Sequence, residues 1–376
     1  MESIIGEITK LRRGRPLLVE RHNSNRYRLV AAEDDGSRTA YCFGTPIYNN
    51  KTGRITSLKF SYENDAVRAI GSSANITLSQ NIIFESDAGV CTIPLSDKYI
   101  TVDKNAVRYR DFEVYPTLNG LAVRADAQSG GSFSFKLISS KPFLNIRANN
   151  KCFSLMSEEF RPFATVSCIG TLDAGGHVIS PALLGYQKLD DRGYLIEIKG
   201  TSQYGKYLFF EVNLFEPKLF LDTTVESGNP DSNNAFGGTA FIGNTALYGE
   251  QWMYSRPDFS RIPELAGRPI ERAVLHLPQH NYTEVLLSAY RAANRFCSFG
   301  SSWNNRSGSG ELAAYSEYID GYQTIDITNL FTEPKTKFFT RSDGLILKTK
   351  VKDSGFSVLS TCDSYYAPQI LEIRFR

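Results

Sequence analysis

Apolar and polar positions alternate along most of the chain. "GLAVRADA" (120–127) sets Leu121, Val123 and Ala125 on one side, and "SFSFKLI" (132–138) does the same with Phe133, Phe135 and Leu137. "GYLIEIKG" (193–200) carries Tyr194, Ile196 and Lys199 in a period-two pattern. "YLFFEVNLF" (207–215), "RAVLHLP" (272–278), "TEVLLSAYRA" (283–292), "LILKTKV" (345–351) and "QILEIRFR" (369–376) follow suit. A period of two puts one face of a strand in a core and the other in water, the habit of antiparallel sheets. Turn-forming clusters separate the segments: "NNKTG" (49–53), "SGGS" (129–132), "DAGG" (173–176), "DDRG" (190–193) and "SDGL" (342–345). Helical periodicity is scarce. It predicts a short amphipathic helix over "MESIIGEITKLRR" and another over "GELAAYSEYID" (310–320).

The pattern predicts an all-β protein, and its length predicts more than one core. The 376 residues exceed what one ordinary hydrophobic core serves. The clearest break is at Pro217, between "VNLFEP" and "KLFLDTTVES". The expectation is two consecutive antiparallel β-sandwich domains, 1–217 with a basic N-terminal arm and 218–376.

Composition sharpens this picture only modestly. The 24 Phe and 20 Tyr favour strands. A net charge of +2 calls for no nucleic acid, membrane surface or acidic substrate. The six cysteines (Cys42, Cys91, Cys152, Cys168, Cys297, Cys362) form no CxxC pair, which disfavours a zinc site; buried thiols are expected ahead of disulfides. No segment approaches the ~20 apolar residues of a membrane helix. The N-terminus lacks a signal-peptide core, which leaves a cytosolic protein, export without a Sec signal, or a lost leader.

The Gly- and Asn-rich stretch "DSNNAFGGTAFIGN" (231–244) admits two readings. A phosphate cradle needs a following helix, and often a Lys. "NTALYGEQWMY" offers neither, so the stretch is read as a loop entering an edge strand.

From about residue 218 onward, a series of landmarks resembles a DNRLRE-type domain. They are Asn234 and Gly238 before "AFIG" (240–243), "IERAVLHL" (270–277), the pair Trp303–Asn304, "IDITNLF" (325–331) and "APQILEIRF" (367–375). The resemblance departs at "SYYAP" (364–368), where that family often has an Arg-Glu pair. "DFEVYPTLNGLAVRADA" (111–127) and "VNLFEPKLFLDTTV" (212–225) resemble the β-rich region preceding such domains in large bacterial surface proteins. The resemblance implies a β-sandwich similar to carbohydrate-binding modules, on a bacterial surface or secreted protein.

Candidate chemistry is sparse. His276 and His280 stand four apart, but Pro278 between them makes a strand end and a turn rather than a metal-binding helix face. No G-x-S-x-G elbow occurs. Adjacent carboxylates such as Glu158–Glu159 and Asp190–Asp191 would point to opposite faces of a strand. No cofactor or metal site is expected. Sugar recognition has better support, because sugars stack on aromatic rings and bond to amides and carboxylates. Tyr248, Trp252, Tyr254, Arg256 and Asp258 form one such set, and Trp303, Asn304, Asn305 and Arg306 another. Trp303 is read as core ahead of ligand, and Trp252 as either. The run Lys10, Arg12, Arg13 and Arg15 is a candidate docking patch for a nucleic-acid backbone or an acidic partner surface, although such a short run is more often simply solvated.

The expectation is a non-enzymatic structural or adhesion component of an extracellular bacterial or phage assembly. It would be homo-oligomeric or joined to other subunits, and could recognise cell-surface glycans. A stand-alone carbohydrate-binding module is the alternative, and a polysaccharide-active enzyme a second one.

Overall fold

A computed structural model describes residues 4–21, 24–48, 55, 59–70, 74–86, 89–95, 101–102, 105–127, 130–140, 145–158, 162–214, 218–262, 265, 267–282, 285–332, 343–352 and 355–376. The expected turn at 49–53 lies outside them, and those at 129–132 and 342–345 fall partly outside. The fold is all-β and antiparallel, in two compact units. The first comprises Met1–Ile4 and Tyr48–Glu216; the second comprises Ile5–Ile47 and Pro217–Arg376.

In the first unit two sheets face each other. One runs through Phe112–Pro116, Gly120–Asp126, Tyr207–Leu214, Pro162–Leu172 and Cys152–Met156. The other runs through Asn81–Ser86, Gly89–Pro94, Ser132–Ser139, Gly193–Gly200 and Ala182–Lys188. Aromatic rings bridge the layers. Phe135 stacks on Phe210 with centroids 5.5 Å apart, and Phe153 packs on Tyr194 at 5.1 Å. Alternation does the work here: in Gly193–Gly200 the core takes Tyr194, Ile196 and Ile198. Lys199 is exposed on the outer face, one residue out of register with Tyr194 and Ile196 in the period-two pattern.

The second unit is one hydrogen-bonded sheet folded over on itself, with thirteen strands among the described residues. One layer carries Arg28–Ala32, Arg38–Phe43, Ile370–Phe375, Ile270–Pro278 and Tyr322–Asp326. The other carries Leu287–Ala292, Leu345–Thr349, Gly249–Pro257, Thr239–Thr245 and Phe356–Ser360, with Phe220–Glu226 paired alongside Gly249–Pro257. The long strand Ser309–Ile319 joins the layers. Its first half pairs with Leu287–Ala292 and its last residues pair with Tyr322–Asp326. The core between the layers holds Ala273, Leu275, Ile325, Leu371 and Ile373 against Ala240, Ile242, Met253, Leu347 and Leu359. Each Leu, Ile or Met among them is worth about 1.5–3 kcal/mol when fully buried.

Three expectations are corrected. The helix expected over 310–320 is this joining strand. Asp320 and Gly321 both have positive φ (50° and 89°) between Ile319 and Tyr322, which makes a two-residue hairpin turn. The N-terminal segment does not extend the first unit. From Ile5 on it belongs to the second, because Arg38–Phe43 pairs along its length with Ile370–Phe375. The helix in that segment spans Ile4–Leu11. Finally, the Gly-rich stretch does lead into a strand, but Thr239–Thr245 is flanked on both sides, by Gly249–Pro257 and Phe356–Ser360. It is not an edge.

Candidate functional site

The helix Ile4–Leu11 buries Ile8 and turns Glu7 inward, where it accepts a hydrogen bond from the Tyr322 hydroxyl at 2.5 Å. The chain then breaks away at Arg13 and Gly14, both with positive φ. That turn decides the fate of the basic run. Arg12 is driven inward: its side chain is 2% exposed. It donates to both carboxylate oxygens of Glu33 (2.7 and 3.0 Å), to the Tyr41 hydroxyl (3.2 Å) and to the Pro16 carbonyl (2.6 Å). Burial alone would raise the Glu33 carboxyl, but the hydrogen bonds from Arg12 and Thr39 outweigh it and hold the group below its ordinary range. Arg12 is therefore a structural ion pair, and the expectation that it docks a partner is corrected.

Lys10, Arg13 and Arg15 remain outside. Lys10 pairs loosely with Glu7 (3.3 Å), and the Arg15 Nε donates to the Arg12 carbonyl (3.2 Å). With Arg272 they line a groove of about 490 Å³. Its floor is His276, which shares hydrogen bonds with Thr324 Oγ1 and Glu372 Oε2 at 3.2 Å each. Arg272 also reaches Glu372, at 3.6 Å. Glu317 and Asp320 stand on the rim. The groove gathers five cationic side chains against three carboxylates; Arg12 and Glu372 are buried, while Lys10, Arg13, Arg15 and Arg272 are exposed along with Glu317 and Asp320.

The proposed glycan residues divide into three groups. Tyr248 and Tyr254 are sealed: Tyr248 packs edge-on to Phe241, and the Tyr254 hydroxyl donates to the Ser307 carbonyl at 2.6 Å. Burial pushes the Tyr254 phenol up to about 12. Neither ring is open to a ligand, so that expectation is corrected. Asp258 caps the short 3-10 turn Phe259–Arg261, accepting from Ser260 and pairing with Arg261 at 3.3 Å. Asn304 donates to Asp231 (2.7 Å), while Asn305 closes its own loop through Ser302 and Gly300. These groups brace turns.

The third group stays half-open. Trp252 and Trp303 meet at 5.0 Å over a minor core of Val225, Tyr254, Phe296 and Ile346. Arg256 lies by the Phe296 ring at 6.0 Å. Arg306 stacks at 4.0 Å from the Trp303 centroid and 4.8 Å from that of Trp252. Lys348 comes within 3.4 Å of the Trp252 centroid. These cations cover ring surface that a sugar would need.

One cluster escaped the sequence reading. Lys218, Asp222, Cys362 and Asp363 are all buried together in the second unit. The signal was present in "KLFLDTTV" (218–225), where a Lys and an Asp interrupt an apolar strand. His280, by contrast, bonds to Ser360 Oγ at 2.8 Å and takes no part in it. Five of the six cysteines are buried and Cys297 is exposed.

No family model matches the chain, and no curated protein matches it. Among solved structures, the N-terminal domain of the Streptococcus gordonii adhesin Sgo0707 aligns over 94% of this chain and 96% of that one. The identity is 8% and the TM-score 0.17, a level of likeness that carries no argument. Among the described residues no helix is long and apolar enough to cross a membrane.

Proposed function

We propose that the chain is a non-enzymatic structural and adhesion component of an extracellular bacterial or phage assembly, and that its basic groove holds an acidic polysaccharide. The observation that carries this reading is the convergence of Lys10, Arg13, Arg15 and Arg272 on one groove of about 490 Å³. Guanidinium groups recognise carboxylates through paired hydrogen bonds, and exposed ones keep that capacity free. The likeness of 218–376 to DNRLRE-type domains supports sugars as the ligand class. A stand-alone module working through Trp252 and Trp303 has less support, because Arg306 and Lys348 already occupy those rings.

The test is retention of the full chain on immobilised acidic and neutral polysaccharides. Acidic polymers should retain it in a salt-dependent way. The double variant Arg13→Glu/Arg15→Glu should weaken retention by about tenfold or more, equivalent to ~1.4 kcal/mol. Trp252→Ala should leave it unchanged. Retention that survives charge reversal, or is lost in Trp252→Ala, would overturn the groove in favour of the tryptophan surface. Release of reducing ends would make the chain an enzyme. Deleting residues 1–16 is not a clean alternative, since it removes the buried Ile8 and Arg12.

A further inference from the structure

Lys218 stands just before the strand Phe220–Glu226, Asp222 lies within it, and Asp363 lies in the turn between Phe356–Ser360 and Ile370–Phe375. Folding brings the Lys218 Nζ against Asp363 Oδ1 across 145 positions of sequence. Both side chains are sealed, at 5% and 7% exposure. The Tyr365 ring lies 5.1 Å from the Lys218 ammonium. Asp222 faces the same place, with its carboxylate, the Cys362 Sγ and the Asp363 carboxylate all within 4.8 Å of one another. Asp222 Oδ2 accepts from the Cys362 N–H and from Gln369 Nε2 at 3.2 Å. Asp222 Oδ1 is buried and has no hydrogen-bond partner.

A simple ion pair explains this poorly. Two charges taken out of water carry a desolvation cost that the weak Cys362 Sγ hydrogen bond to Asp363 Oδ2, at 3.6 Å, offsets little, and the unpartnered Asp222 oxygen beside them adds to it. A bound cation also fits poorly, because the Lys218 ammonium already sits on one of its would-be ligands. What the three groups do compose is an amine, a carboxyl and a proton carrier in a dry site. Burial pushes the Asp222 carboxyl up to about 6, so it exchanges protons close to neutral pH.

We propose that Lys218 and Asp363 condense into an intramolecular amide cross-link, with Asp222 relaying the protons. Proton transfer within the pair gives the neutral amine and carboxylic acid. The Nζ lone pair attacks Asp363 Cγ while the Asp222 carboxylic acid gives a proton to the carbonyl oxygen. Asp222 then takes a proton from the nitrogen, gives one to the departing hydroxyl and recovers one from the former carbonyl oxygen, so it ends as the acid it began. One C–N bond forms, one C–O bond breaks, and one water leaves; no oxidant or cofactor enters. Held contact replaces a bimolecular encounter. The dry surroundings favour a neutral amide over two charges and exclude the water that would reverse the step. The product ties the strand that opens the C-terminal segment to the approach of its last strand. The inference is independent of the groove and its ligand.

Intact mass of the denatured full-length chain tests it. The folded protein should be lighter than its sequence mass by one water. A tryptic digest should show no cleavage after Lys218 and a branched peptide joining the Lys218 and Asp363 segments. Lys218→Arg and Asp363→Ala should each restore the sequence mass. Asp222→Asn should slow bond formation by at least about a hundredfold, in the range of general acid–base effects. Folded wild-type protein at its full sequence mass after prolonged incubation overturns the proposal, whatever the variants do. Bond formation at an unchanged rate in Asp222→Asn overturns the role of that carboxyl.

Discussion

At the scale of single residues, the basic run shows how much one turn decides. Four cations within six positions look alike in sequence, yet Arg12 is buried on Glu33 while Arg13 and Arg15 stay in water. The difference is set by Arg13 and Gly14 in the left-handed region, which end the helix and send the chain back over Arg12. That geometry has no periodic signature, so the run was legible as charge but not as two roles. Arg12→Ala should destabilise the second unit by about 3–5 kcal/mol, because it strands the Glu33 carboxylate in a largely dry site. Chemical denaturation of the full chain reads this directly. The pH dependence has a definite sign. The Glu33 carboxyl is depressed in the fold, so the pair's contribution is fully present above the unfolded value of 4.5 and is lost as pH falls through the lower folded value. Acid should therefore erode the gap between wild type and Arg12→Ala.

At the scale of elements, alternation is a good guide where a strand has one wet face and a poor one where it turns a corner. Ser132–Ser139 and Gly193–Gly200 show clean alternation and were legible. Ser309–Ile319 leaves one layer for the other, so its exposed and half-buried residues follow neither period, and "ELAAYSEY" passes for a helix. The local clue was Asp320-Gly321, a pair suited to a two-residue hairpin turn. A second element-level feature is Gly243, in the middle of Thr239–Thr245 with φ 125°. A Cβ there would lie 2.2 Å from the Gly355 carbonyl oxygen and 2.8 Å from Phe356 Cα, both backbone atoms that cannot swing aside. Gly243→Ala should cost about 1–3 kcal/mol in backbone strain alone, and more from the clash. It should also loosen the pairing with Phe356–Ser360. Faster hydrogen exchange confined to the Ala240, Ile242 and Leu359 amides, which lie in this ladder, would confirm the site of damage, and exchange unchanged there would refute it.

At the scale of the whole molecule, the fold class was legible but the ownership of the N-terminus was not. Nothing local in "RTAYCF" (38–43) announces a partner more than 300 positions away, for strand pairing across such distances depends on the complete core. The hydrophobic cores make the division concrete. Every buried member of the first core lies between Phe60 and Leu214, whereas the second draws Tyr27, Val30, Ala40 and Cys42 from the N-terminus and the rest from Leu219 onward. Residues 48–216 should therefore fold alone, with a single cooperative unfolding transition and dispersed amide resonances. Residues 218–376 alone should not. Without Arg38–Phe43 the strand Ile370–Phe375 loses a full ladder of pairing and becomes an exposed edge. Fusing residues 5–47 through a flexible linker after Arg376 should restore a folded unit, because it returns the missing strands to the same chain. A stable, monomeric 218–376 fragment with an unfolding midpoint equal to the fused form would show that the N-terminal strands decorate the second core instead of completing it.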